Sequence, residues 1–145
     1  MNDSATTTEA RGTVDRAALG RLVYDFYDQV RADAVLGPTF DAVLAGRWHL
    51  HLPRMVEFWS TLVLGTRSFS GNVFGKHMAL DGITPQHFER WLALWFATTA
   101  RLFERRVAGQ LQYMALGIAR NLHRGYFDDD AAFARIELGL RHAGH

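Results

Sequence analysis

The chain has 145 residues, 48% of them apolar and 21% charged, and a formal net charge of +1, as expected of one soluble domain with a real core. The balanced charge, with no basic stretch interleaved with aromatics, argues against nucleic acid as a partner, and no apolar run approaches the ~20 residues a membrane helix requires. The absence of cysteine excludes disulfides, thiolate metal sites and cysteine nucleophiles.

Residues 1–12 read as a flexible polar tail without a hydrophobic signal core, which predicts a cytoplasmic protein; residues 13–145 read as one domain. Thr13 is placed to cap a helix running to about Ala34, with Leu19, Leu22/Val23, Phe26/Tyr27 and Val30 at helical spacing. Gly20 is a candidate break in it. Leu36-Gly37-Pro38 is expected to end it, since a pyrrolidine ring cannot continue a helix. Phe40 to Leu44 is expected to be a turn or short helical piece. The next helix spans roughly Trp48 to Leu64, with Pro53 predicting a kinked or non-helical first turn and Gly65 closing the end.

Thr66 to Asp81 reads as a long loop. Loops of that length in compact domains are usually functional. Thr84-Pro85 then forms a cap followed by a first helical residue, opening a helix to about Val107. A break is expected at Ala108-Gly109. Another helix follows with Leu111, Met114/Ala115, Ile118 and Leu122 on one side, ending near Gly125. A last helix covers about Asp130 to Ala143. No strand alternation occurs, so the reading is all-α.

Within the predicted loop, His77 stands beside Phe74, Met78 and Leu80. A lone histidine is more often a core or surface residue than a ligand; the alternative is an axial ligand to a metal, for which neutral imidazole is well suited. Tyr27, His51 and Trp91 pose the same choice. Each brings one polar atom into an apolar helical face. Singly, such groups are usually satisfied core residues; four of them from four segments suggest a shared cavity with a polar guest. Arg54 and Lys76 lie near in sequence, as surface charge or as partners for carboxylates at the cavity mouth. Gly71 to Lys76 lacks the spacing of a phosphate loop. His49 and His51, two positions apart, point about 200° apart on a helix and cannot chelate one ion together. Nothing marks a nucleophile elbow.

Several blocks in order are similar to the third group of truncated haemoglobins. They are Phe26-Tyr27-x-x-Val30-Arg31-x-Asp33, Leu36-Gly37-Pro38-x-Phe40, and Trp48-x-x-His51-Leu52-Pro53-x-Met55-Val56-x-Phe58-Trp59, then Leu64-Gly65, Lys76-His77-x-x-Leu80 and Phe88-x-x-Trp91-Leu92-x-Leu94. The resemblance covers about residues 20 to 96; from Arg101 onward it lies only in helical character. The chain departs from it at Val73 and Asp81, where relatives often carry proline.

The resemblance implies a truncated globin, a two-over-two helical sandwich around haem b (protohaem IX). It assigns His77 as the axial iron ligand and Tyr27, His51 and Trp91 as the distal pocket. Arg54, Lys76, Phe40, Met55 and Leu80 fall in the set expected around the cofactor, with Arg54 near a propionate. Met55, Leu62 and Phe40 are expected to keep bulk water out. The implied partners are O2 or another small ligand such as CO, NO, cyanide or peroxide. Three readings stay open at this stage: reversible ligand binding, haem-dependent turnover of peroxide or nitric oxide with a separate reductase, and a helical interaction domain without haem.

Overall fold

A computed structural model describes residues 14–143. Among them are seven helices and no strand: α1 (Arg16–Ala32), α2 (Leu36–Leu44), α3 (Trp48–Leu64), α4 (Val73–Met78), α5 (Pro85–Leu102), α6 (Arg105–Phe127) and α7 (Asp130–Ala143). The all-α expectation holds. The tail at 1–12 and the proposed cap Thr13 lie outside the described residues.

Helix α1 starts from Asp15, whose carboxylate accepts the Ala18 N–H at 2.8 Å. Its predicted stripe from Leu19 to Val30 is buried. Gly20 does not break it: one glycine costs a helix only about 1 kcal/mol, and burial of that stripe outweighs it. The helix ends at Ala32, before Leu36-Gly37-Pro38, and this tripeptide opens α2 rather than closing α1. Pro38 is tolerated there because first-turn N–H groups have no intrahelical acceptor. In the intervening turn the Asp33 carboxylate accepts the N–H groups of Val35 and Leu36, each at 3.0 Å, and pairs with Arg90 of α5.

Helix α3 has the expected bounds and runs through Pro53 from Trp48 without a non-helical first turn. Gly65 ends it in the left-handed conformation at φ 70°, a geometry glycine adopts without Cβ strain. The predicted loop after it contains α4. Asn72 caps this helix by accepting the Gly75 N–H at 2.9 Å. Thr84 and Pro85 begin α5 as expected, but the helix stops at Leu102. The Glu104 carboxylate accepts the N–H groups of Arg106 at 3.0 Å and Val107 at 3.1 Å, which starts α6 there. The break therefore lies five residues before Gly109, which sits inside α6; that helix passes Gly125 to Phe127.

Helix α1 packs on α3 and on α5, α5 packs on α6, and α7 lies against α5 and α6. The α1–α3 and α5–α6 pairs meet over aromatic side chains. Trp95 is fully buried, stacks on Trp59 at 4.4 Å, meets Phe26 edge-on at 5.0 Å, and donates its indole N–H to the Leu111 carbonyl at 3.0 Å. Buried indoles need such an acceptor. Among the described residues no helix is long and apolar enough to cross a membrane.

Candidate functional site

One wall of the site comes from α1, α2 and α3. Tyr27 follows Phe26 on the buried stripe of α1, and His51 lies in the first turns of α3. Their rings are 5.4 Å apart and nearly perpendicular. Phe40 reaches Tyr27 edge-on from α2 at 6.1 Å. Trp48 stands 5.9 Å from both Tyr27 and His51 and is fixed by its indole N–H, which donates to Asp41 at 3.0 Å. Trp91 of α5 enters through Phe26, which it meets at 5.5 Å and 90°, while its other face lies parallel to Trp95. Thus Tyr27, His51 and Phe40 are brought together directly, and Trp91 is joined to them by Phe26. Trp48 completes the cluster; it opens one of the resembling blocks, but the sequence reading assigns it no role in the site.

Helix α4 carries His77. His77 is half-buried, and its Nδ1 lies 2.8 Å from the Val73 carbonyl one turn back. A carbonyl can only accept, so Nδ1 carries the proton and Nε2 holds the free lone pair. Val73, one of the two positions at which the sequence departs from the resemblance, supplies that carbonyl. Leu80 and Met78 are partly buried nearby, whereas Lys76 is exposed. Arg54 of α3 is exposed, donates to the Ser70 carbonyl at 3.3 Å and lies over the Phe69 ring. Met55, on α3 one turn after His51, packs against the core, whereas Leu62 is 44% exposed.

Burial pushes the Tyr27 phenol well above its usual range, so the hydroxyl stays a donor. Burial also holds His51 down to about 4, with smaller electrostatic contributions from the nearby His77 and Arg54. His51 is therefore neutral near pH 7. Its Nε2 is buried and has no hydrogen-bond partner within the protein. Buried polar atoms are rarely left so, and this one suits a site built for a polar guest.

The donor set also bears on what His77 could bind. Among the described residues no group of three or more His, Asp or Glu side chains is arranged to hold a bare ion. An ion on Nε2 of His77 would take its remaining donors from elsewhere, as iron does in a porphyrin. An imidazole oriented by a carbonyl, with the unpartnered buried His51 Nε2 close enough for the two rings to interact, fits that group. Two further residues escaped the sequence reading. Tyr126 of α6 donates its hydroxyl to the His77 carbonyl, and fully buried His123 is enclosed by Phe88, Phe127 and Phe133. The Tyr126–His77 and His123–Phe88 contacts join segments far apart in sequence, which leaves no local pattern to read.

No family model matches the chain. It is 30% identical over 86 residues to the group 3 truncated hemoglobin ctb of Campylobacter jejuni, covering 57% of this chain and 68% of that relative. The crystal structure of a group III truncated hemoglobin from Campylobacter jejuni superposes with a TM-score of 0.75 at 25% identity, over 77% of this chain and 91% of that one. The likeness holds in both sequence and fold, and the chain belongs to the group 3 truncated haemoglobins, as a globin-type haem protein with a two-over-two fold.

Proposed function

We propose that this chain binds O2 and related small ligands reversibly at a haem b held by Nε2 of His77. When bound, haem would supply the iron chemistry that takes up diatomic ligands. The observation that carries the reading is the pairing of two histidines in opposite states: the His77 Nδ1 is committed to Val73, and the His51 Nε2 is buried without a partner. Tyr27 is the principal donor to a polarised ligand, Trp91 the second, and His51 donates or gates entry. Arg54 and Lys76 meet the propionates at the rim. Phe40, Met55 and Leu80 line the pocket and keep bulk water out. Residues 13–145 form one truncated-globin domain working in the cytoplasm.

The same donors would serve turnover of peroxide or nitric oxide, for which electrons must come from a separate reductase. Peroxide or NO consumption with added reductant separates that role from simple binding. Family membership removes the third reading, a helical domain without haem.

The direct test is His77→Ala. Stable haem binding is lost, or a weakly held and exchangeable haem remains, read from the Soret band after gel filtration. A variant that keeps the five-coordinate ferrous spectrum of the parent would overturn the axial assignment.

A further inference from the structure

We infer that Tyr126 is a positioning residue for the axial histidine, clamping the backbone of α4 from α6; this rests on the assignment of His77 proposed above. The hydroxyl of Tyr126 donates to the carbonyl of His77 itself and lies 3.5 Å from the Leu80 carbonyl. The His77 carbonyl also accepts the Leu80 N–H at 2.9 Å. It belongs to the last turn of α4, where carbonyls lack intrahelical partners and must find others.

Helix α4 needs such a clamp. It has only six residues and none is buried, and so short a helix is not stable by itself. Its main helical neighbour is α6. Beside Tyr126, Gly125 lets the two helices approach: a Cβ there would come within 2.7 Å of the Phe74 ring and 2.9 Å of the Met78 sulfur. Phe74 and Met78 flank His77 on α4, so the glycine seats the helix and the tyrosine fixes its peptide. The ring of Tyr126 is itself held by Phe88 at 6.1 Å and Phe127 at 5.7 Å. The orientation of the imidazole, set locally by Val73, is thereby referred to the α5–α6 pair.

The test is Tyr126→Phe in the full chain loaded with haem, which removes one oxygen and keeps the ring. In the ferrous protein the iron–histidine stretching band in the resonance Raman spectrum is expected to shift and broaden. Hemin transfer to excess apomyoglobin should accelerate about 2- to 10-fold, as for loss of one neutral hydrogen bond. A tyrosine that only stabilises the fold would lower the melting temperature and leave the band in place. A parent that shows the band and a variant with the same position and width would overturn the role of Tyr126 alone. A parent with no iron–histidine band would overturn the axial assignment, and this inference with it.

Discussion

The buried imidazole of His51 links pH to stability. Its folded pKa of about 4 lies below the roughly 6.5 of an unfolded histidine. The unfolded chain therefore binds more protons between these values. The contribution is fully present above pH 6.5 and is lost as pH falls from 6.5 toward about 4. In the haem-free protein, His51→Leu should lose less stability than the parent across that window, measured as urea midpoints at successive pH values; parallel curves would reject the burial argument. Tyr27→Phe should speed O2 release. A hydrogen bond to a charged acceptor contributes roughly 1.5–3 kcal/mol, on the order of 10- to 100-fold in rate. Unchanged stopped-flow dissociation would remove Tyr27 as the main donor. Both residues could be picked out in the sequence because each sets one polar atom into an apolar helical stripe. Trp48 and Tyr126 could not be: the first only starts a helix, and the second meets a carbonyl 49 positions away.

Long helices announced themselves by periodicity, and α3 and α7 have the expected ends. Short pieces and junctions did not. Six residues give less than two turns of pattern, so α4 was hidden inside an apparent loop. At the α1–α2 junction Pro38 was read as a stop, although proline fits the first turn of a new helix equally well. Gly109 drew the break between α5 and α6 away from Glu104, whose carboxylate is the actual cap. The α1–α2 junction is also closely packed. A Cβ on Gly37 would lie 2.6 Å from the Arg31 carbonyl oxygen, a backbone atom that cannot swing aside. Gly37→Ala should therefore cost about 1–3 kcal/mol, as overpacking does, visible as a lowered urea midpoint. An unchanged midpoint would mean that α2 moves freely against α1.

Two helix pairs meet over Trp59, Trp95 and Phe26, and this stack sets where the site can be. The first pair brings Tyr27 and His51, α5 brings Trp91, and α6 reaches across to hold α4 with His77. The all-α class followed from composition and spacing alone, because core packing of amphipathic helices is written in the sequence itself. The shape of the pocket did not, because it depends on which helix ends face one another. What this arrangement is for can be read most directly from the visible absorption spectrum of the purified chain after loading with hemin, taken ferric, dithionite-reduced and with CO. An intense Soret band, with a reduced form that binds CO as a histidine-ligated haem does, is the predicted outcome. No Soret band after titration with hemin would leave His77 an ordinary half-buried histidine and refute the haem site described here.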